Sequence, residues 1–377
     1  MLLKRQKKKV ERMDKINILQ IVGSMNNGGV ESFVMSYYRQ LHDRCKFTFL
    51  CFDDSKMIPK EEIESLGGEV IIVPHVKHLK AFNKELIKVF RENNFDIIHS
   101  HLNTLSVFPL RVAKKCHQKI RIAHSHSISS KKEIKRHIAK SILKLFSKKY
   151  SNVYFSCSEL TGRYQFGDKT YDEGKVTVIK NAINLERFKY NIESRKRVRN
   201  ALNFKEDDIV IGTIGRFVET KNQKYILEIA KENRNLKFLI VGNGPLQEEY
   251  ESFIKENNLD NVYVIVPEID VANYYSAFDT FILPSFYEGF PITSLEAQTS
   301  GLYIVYSSSV PKEGLITGYG EFIQIDEEGI KLWGEALNKK HERKPELIKV
   351  VKEKGYEISD AANELYQKYL DLIEEYK

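Results

Sequence analysis

Several common sequence features are rare or missing in this chain of 377 residues. No window approaches the roughly 20 consecutive apolar residues that a membrane-spanning helix needs, and the basic N-terminal residues are not followed by the apolar stretch of a secretory signal peptide. The four cysteines form no CxxC motif and lack metal-ligand spacing. This pattern is typical of reduced thiols in the cytosol, where they act as small buried hydrophobic side chains. We therefore expect a cytoplasmic protein.

The overall composition is that of a globular protein. Hydrophobic residues make up 42% and charged residues 29% of the chain, which excludes disordered, collagen-like and coiled-coil classes. Domains usually contain roughly one to two hundred residues, so this length alone predicts two or three domains.

Charge is unevenly distributed along the chain. Residues 1–185 contain 34 Lys and Arg against 18 Asp and Glu, whereas residues 186–377 contain 25 against 33. A basic first half suits an anionic partner such as a membrane surface, a nucleic acid or a phosphorylated substrate. A lysine-rich surface that is merely exposed to solvent explains the charge equally well at this point.

Short runs of Val and Ile alternate with amphipathic helical segments from end to end. The expected strands are Ile16–Val22, Lys46–Phe52, Glu69–Val73, Asp96–His99, Arg121–His124, Asn152–Cys157, Ile209–Ile214, Leu236–Val241, Val262–Val266, Thr280–Leu283 and Tyr303–Tyr306. Continuous apolar strands separated by helices are typical of parallel sheets covered on both faces. We predict an α/β protein with two tandem Rossmann-like, doubly wound domains that face a cleft. Their bounds are 1–185 and 186–356, with a C-terminal helix at about 357–377 that packs back on the first domain.

Ligands of such sheets bind beyond the carboxyl ends of the strands, and three loops at such positions are candidates for phosphate binding. Two loops are rich in glycine, which lets a ligand approach backbone N–H groups at a helix N-terminus. The third has the sequence GRFVETK, whose two cations suit a diphosphate. The candidate residues are Gly28, Gly29, Arg216, Lys221, Gly242 and Gly244.

The segment PSFYEGFPITSLEA, residues 284–297, carries the most specific pattern. We predict a loop that contains Glu288 and a helix that begins near Thr293, with Glu296 on its first turn. The helix N-terminus between the two carboxylates offers N–H groups and the positive end of the helix dipole. This arrangement suits a nucleotide sugar, with Glu296 on the ribose hydroxyls, the N–H groups on the diphosphate and Glu288 towards the sugar.

These motifs resemble those of retaining glycosyltransferase family 4. EGFPITSLEA is similar to the family's E-x7-E signature, and GGVESF, VIKNAINLERF, GRFVETK and VGNGPL resemble other family motifs in the same order. The resemblance extends from about residue 16 to residue 306 and points to the branch that makes capsular and exopolysaccharides. It implies the GT-B fold and transfer of a hexose-type sugar, with retention of configuration, from a nucleotide sugar that we expect to be a UDP-sugar.

The resemblance also implies roles for individual residues. Arg216 and Lys221 would hold the diphosphate, Glu296 the ribose and Glu288 the transferred sugar. The full donor-binding set is Arg216, Lys221, Gly242, Gly244, Glu288, Gly289, Phe290, Pro291, Ile292 and Glu296. Preorganised cations and a helix N-terminus can stabilise the charge that develops on the leaving diphosphate, and the chain contains no DxD triplet. We therefore predict a metal-independent enzyme without a cofactor.

Two pairs of histidines follow strands of the first half, His99 with His101 and His124 with His126. An HxH pair can bind a metal, but the nearest carboxylates precede the loops, and we favour no metal. In the family, a histidine after the second of these strands faces the donor sugar across the cleft. His124 and His126 both remain candidates for this catalytic position, beside Glu288, Arg216 and Lys221.

Two other functions suit a two-domain scaffold of this kind. A nucleotide-sugar epimerase is disfavoured by the combination of GRFVETK with E-x7-E, and a non-catalytic partner subunit by the intact charged residues. A nucleic-acid partner is not expected, because no helix-turn-helix, zinc or RNA-binding signature occurs. The expected partners are a nucleotide sugar, a glycan or lipid-linked acceptor and an anionic membrane surface.

Residues 131–150, KKEIKRHIAKSILKLFSKKY, combine an apolar stripe with many lysines. The stripe consists of Ile134, Ile138, Ile142, Leu145 and Phe146. Such a composition is typical of a helix that lies in the headgroup region of an anionic membrane, although a helix that buries its stripe in a core has the same periodicity. We predict peripheral binding at the inner face of the cell membrane, where a lipid-linked acceptor would be met.

Overall fold

The computed structural model of the protein describes residues 15–26, 28–127, 134–267 and 270–377, without the side chains of residues 134–141. The N-terminal basic segment, Asn27, the start of the lysine-rich segment and Glu268 lie outside the described residues. Ile134 and Ile138 of the predicted apolar stripe lie within the described backbone only.

Two parallel sheets form the framework. The seven strands of the first sheet are β1 (Ile16–Gly23), β2 (Cys45–Phe52), β3 (Glu69–Val73), β4 (Ile97–Ser100), β5 (Ile120–Ser125), β6 (Val153–Ser156) and β7 (Val176–Val178), and their spatial order is β3-β2-β1-β4-β5-β6-β7. The six strands of the second are β8 (Val210–Ile214), β9 (Lys237–Val241), β10 (Val262–Ile265), β11 (Thr280–Leu283), β12 (Tyr303–Ser307) and β13 (Gly320–Ile323), in the order β10-β9-β8-β11-β12-β13.

Helices connect the strands and cover both faces of each sheet. In the first half they are α1 (Gly29–Leu41), α2 (Lys60–Ser65), α3 (Leu79–Glu92), α4 (Val107–Lys115), α5 (Ile134–Tyr150), α6 (Glu159–Phe166) and α7 (Asp168–Asp172). In the second they are α8 (Leu185–Phe188), α9 (Ile192–Ala201), α10 (Gln223–Glu232), α11 (Gln247–Glu256), α12 (Ala272–Ala277), α13 (Ile292–Thr299), α14 (Glu327–Leu337), α15 (Ile348–Glu353) and α16 (Ile358–Glu375). Short 3-10 turns lie at Asn103–Ser106, Glu219–Lys221, Lys312–Gly314 and Pro345–Leu347.

The predicted fold class is confirmed. Both sheets are parallel and doubly wound, because the strand order reverses direction between β1 and β4 in the first sheet and between β8 and β11 in the second. Each of these neighbouring pairs creates a crevice beyond its carboxyl ends, which is where such sheets bind ligands. Four predicted motifs follow these strands, whereas the loop of Gly242 and Gly244 follows β9 and His126 follows β5.

Two strands were not predicted from the sequence, and both lie at a sheet edge. β7 has three residues and β13 has four, and both are partly exposed. The four cysteines are free, and Cys45, Cys51 and Cys157 are buried as expected.

The last helix returns to the first sheet. α16 packs on α1, and its Ile358, Leu365 and Tyr369 belong to the same apolar core as Ile18 and Phe33. The crossing point lies beside the segment that links the two sheets, because Ile183 donates to the carbonyl of Tyr356 and accepts from the N–H of Ile358, both at 3.0 Å. The first domain therefore contains residues from both ends of the chain.

Candidate active site

A cleft of about 740 Å³ lies between the two sheets. Its walls come from the first domain (Glu31, Arg39 and Met57), from the linking segment (Arg187) and from the second domain (Asp270, Ile292 and Glu296). Glu296, the carboxylate predicted to bind the ribose, therefore lies across the cleft from Glu31, which follows β1.

The GRFVETK loop is held in place by backbone contacts with its neighbours. The N–H of Phe286, in the loop after β11, donates to the carbonyl of Thr220 at 2.9 Å. Asn222 adopts a left-handed conformation, and its side-chain amide donates to the carbonyl of Pro284 at 3.1 Å. These two bonds bring the ends of β8 and β11 together at the switch point of the second sheet. Lys221 and Glu288 therefore meet although they lie 67 positions apart.

Lys221 and Glu288 form an ion pair. Lys221 Nζ donates to Glu288 Oε1 at 2.8 Å, and the two side chains are 24% and 9% exposed. Arg216, at the start of the same loop, is exposed, and its guanidinium has no hydrogen-bond or ion-pair partner in the described part of the chain. The site therefore presents one ammonium whose position is fixed by a carboxylate and one guanidinium that can move to a ligand.

Gly242 and Gly244 support this loop from behind. Both have positive φ angles, and a Cβ atom would lie 2.0 Å from the Gly215 carbonyl oxygen at Gly242 and 2.4 Å from that of Phe217 at Gly244. The Phe217 N–H also donates to the carbonyl of Asn243 at 2.7 Å. Glycine is required here because the two loops touch through their backbones. The structure thus gives these glycines a packing role that the sequence pattern did not predict.

The helix that follows the Glu288 loop begins one residue earlier than predicted. The carbonyl of Pro291 accepts from the N–H groups of Ser294 and Leu295, so α13 begins at Ile292. Glu296 consequently lies on the second turn, and the prediction of the first turn was wrong. In the sequence, the helix N-terminus still lies between Glu288 and Glu296 and carries the positive end of the helix dipole.

Glu296 lies in a pocket of polar side chains that the sequence did not reveal. The Tyr275 hydroxyl donates to Glu296 Oε2 at 2.5 Å. Burial raises the pKa of Glu296 to about 7, while the Tyr275 hydrogen bond and the nearby Arg187 act in the opposite direction. Arg187 itself forms a bidentate pair with Asp270 at 2.7 and 2.9 Å.

The loop after Glu288 touches the first domain. A Cβ atom on Gly289 would lie 2.3 Å from the His126 carbonyl oxygen, so only glycine permits this approach. The side-chain amide of Asn181 donates to the carbonyl of Phe290 at 3.4 Å. Of the two histidines considered for the catalytic position, His126 therefore lies against the loop that contains Glu288 and Gly289, whereas His124 is fully buried.

The four histidines form one buried cluster. His99 Nε2 is 3.0 Å from His124 Nδ1, and His101 Nδ1 is 2.9 Å from His126 Nε2. Burial lowers the pKa of all four rings, that of His126 to about 3. They are therefore neutral at physiological pH.

Three of these rings have the spacing of metal ligands, since His99, His101 and His124 each bring a nitrogen within 4.8 Å of the others. Neutral imidazoles are competent ligands. In the described structure, however, their nitrogens are hydrogen-bonded within the protein, with the exception of His124 Nε2. Metal independence stays a prediction.

The candidate loop at Gly28 and Gly29 faces the cleft. A Cβ on Gly29 would lie 4.0 Å from Ile292 Cδ1, at the start of α13. The carboxylate of Glu31 accepts from the N–H groups of Asn26 and Gly28, both at 3.0 Å. The Glu31 side chain thus occupies both N–H groups, and an anion bound here would have to displace it.

Sequence matches agree with this architecture. Residues 194–348 match the family described as "Glycosyl transferases group 1", and residues 27–187 match "Glycosyltransferase Family 4". The chain is 30% identical over 332 residues to the putative glycosyltransferase EpsF of Bacillus subtilis, covering 85% of this chain and 86% of EpsF. It is 25% identical over 352 residues to the capsular polysaccharide biosynthesis glycosyltransferase CapH of Staphylococcus aureus, covering 88% and 92%.

A solved structure shares the fold. The crystal structure of HepE from Anabaena in complex with UDP and glucose superposes with a TM-score of 0.76 at 14% identity, and covers 94% of this chain and 100% of that chain. Together with the match to EpsF, the two doubly wound sheets and the cleft between them place this chain in glycosyltransferase family 4, with the GT-B fold.

Proposed function

We propose that the protein is a retaining hexosyltransferase that uses a nucleotide sugar, with UDP as the nucleotide, to extend a polysaccharide or lipid-linked glycan in capsule or exopolysaccharide synthesis. The observation that carries this proposal is the ion pair of Lys221 and Glu288, which joins the loops after the neighbouring strands β8 and β11. Arg216 lies in the first of these loops, and Glu296 lies on the helix that follows the second. The similarity to EpsF supports glycosyl transfer, the similarity to CapH supports the biosynthetic setting, and the UDP complex of HepE supports the nucleotide.

The charges of the site suit the departure of a diphosphate. Negative charge grows on the diphosphate as the bond between sugar and phosphate breaks, and fixed positive groups stabilise that charge without reorganisation. Lys221 is held at 2.8 Å from Glu288, and the N-terminus of α13 adds the positive end of its dipole. In this proposal Glu288 also accepts hydrogen bonds from hydroxyl groups of the transferred sugar, and Glu296 accepts hydrogen bonds from the ribose hydroxyls.

A panel of UDP-, GDP- and ADP-sugars tests this proposal. Purified protein should release UDP from one UDP-hexose, and NMR of the product formed on an acceptor should show the anomeric configuration of the donor. Formation of an isomeric nucleotide sugar without release of UDP would instead identify an epimerase. Failure of every nucleotide sugar to bind would contradict the proposal and favour a non-catalytic subunit.

We also propose that the protein binds an anionic membrane surface through helix α5. The described members of its apolar stripe are exposed, with Ile142 at 53%, Leu145 at 76% and Phe146 at 39%. The helix meets the protein through other residues, such as the buried Ser147. An exposed apolar stripe among lysines suits a headgroup region that contains anionic lipid. Among the described residues, no helix has the length and apolar content to cross a bilayer.

Co-sedimentation with vesicles tests this surface. We expect binding to phosphatidylcholine vesicles that contain phosphatidylglycerol, weaker binding at high salt and little binding to phosphatidylcholine alone. Leu145→Ser should reduce binding, whereas Leu332→Ser, a leucine 44% exposed on α14, serves as the matched control. Equal retention by both vesicle types, or an unchanged Leu145→Ser protein, would contradict membrane binding through α5.

A further inference from the structure

A chain of hydrogen bonds begins at the side-chain amide of Gln20. This residue lies on β1 and is 5% exposed. Its Oε1 is 2.6 Å from His101 Nε2. The buried amide thus contacts one of the two histidine pairs directly.

The first chain determines where the protons of two histidines lie. An amide oxygen can only accept, so His101 Nε2 carries the hydrogen. A neutral imidazole has one N–H, which leaves His101 Nδ1 as an acceptor at 2.9 Å from His126 Nε2. His126 Nε2 therefore carries its own hydrogen, and His126 Nδ1 retains a lone pair. Burial keeps both rings neutral, because it lowers both pKa values.

The other histidine pair forms a separate chain. The Tyr369 hydroxyl is 2.8 Å from His99 Nδ1, and His99 Nε2 is 3.0 Å from His124 Nδ1. His124 Nε2 is buried and has no partner among the described residues. This chain therefore ends inside the domain, away from the cleft.

We infer that Gln20 is a positioning residue that fixes His126 in the Nε2–H tautomer, so that His126 Nδ1 can accept a hydroxyl of the donor sugar. His126 is 8% exposed, against 2% or less for the other three histidines, and its carbonyl contacts Gly289 of the donor loop. The role of the lone pair rests on the proposed function. The tautomer itself does not, since it follows from the hydrogen bonds.

Nitrogen NMR of histidine side chains tests the tautomers without any substrate. In the wild-type protein we expect His101 and His126 as Nε2–H forms. Gln20→Met keeps the length of the side chain but removes the amide, and His126 should become a mixture of both neutral tautomers. Tyr369→Phe should change the nitrogen shifts of His99 and His124 while those of His126 stay. Tyr37→Phe is the matched control, because its buried hydroxyl lies beside the same residues but donates to Lys180.

Kinetics then separate positioning from folding. We expect Gln20→Met to lower kcat about tenfold, the effect of one lost hydrogen bond, with UDP affinity unchanged within about twofold. A parallel loss of UDP affinity would assign Gln20 a merely structural role. An Nδ1–H form of His126 in the wild type, or an unchanged His126 spectrum in Gln20→Met, would overturn the inference. The wild-type spectrum alone decides the tautomer if the variant fails to fold.

Discussion

The exchange of Glu296 for glutamine should make the protein more stable and less active. The side chain lies beside Tyr275 in the second domain, and burial raises its pKa to about 7 from an ordinary value of 4.5. Between these two values the folded protein retains a proton on Glu296 that the unfolded chain releases. Stability therefore falls as the pH rises through this range.

The size of the effect follows from the pKa difference. One pKa unit corresponds to about 1.4 kcal/mol, so ionisation of Glu296 costs the folded state about 3 kcal/mol above pH 7. Glu296→Gln does not ionise. Its free energy of unfolding should exceed that of the wild type by less than about 1 kcal/mol near pH 5 and by up to about 3 kcal/mol at pH 8.

Urea unfolding from pH 5 to pH 8.5 measures this difference. Glu248→Gln, an exposed carboxylate on α11, is the control and should follow the wild type at every pH. At the same pH values, in the absence of urea, the affinity of the wild type for the nucleotide sugar should rise with pH as the Glu296 carboxylate forms. Glu296→Gln should bind the nucleotide sugar weakly throughout. Parallel stability curves for the wild type and Glu296→Gln would refute the reasoning from burial.

Three further predictions concern the donor loop and the chemistry. Lys221→Ala should lose about 1.5–3 kcal/mol of charge-assisted hydrogen bonding to the diphosphate, which lowers the transfer rate about ten- to hundredfold. The control is Lys224→Ala, which removes an exposed lysine paired with Glu249 and should leave the rate normal. Equal rates in the two variants would contradict the diphosphate assignment. Gly289→Ala should lower transfer at least about tenfold, because its Cβ would lie 2.3 Å from the His126 carbonyl and must push the loop from the first domain; wild-type kinetics would show that the loop does not need this contact. Transfer should continue at an unchanged rate in EDTA, and a loss that Mn²⁺ restores would identify the histidine cluster as a metal site.

The sequence predicted the framework well because buried parallel strands are continuous apolar runs. The predicted bounds of β3 and β11 agree with the structure, and those of the other predicted strands differ by one or two residues. β7 and β13 were not predicted, because edge strands of three or four residues contain too few apolar positions to form a recognisable pattern.

The candidate site was only partly predictable. Each motif is local, so a single loop reveals Lys221 or Glu288. The environment of Glu296 comes from Tyr275 and Arg187, whose contacts with it depend on the fold. Contacts of the histidine cluster join residues even farther apart in the sequence, because Tyr369 lies 270 positions from His99. No local pattern joins residues so far apart.

The return of α16 to the first sheet also bears on the order in which the protein folds on the ribosome. Domains generally fold in turn as they emerge, but the core beneath β1 includes Tyr369, which follows every strand of the second sheet in the chain. The first sheet can therefore receive this helix only after the whole second sheet has been synthesised, and until then one of its apolar faces is uncovered. Completion of the first domain thus depends on synthesis of the second.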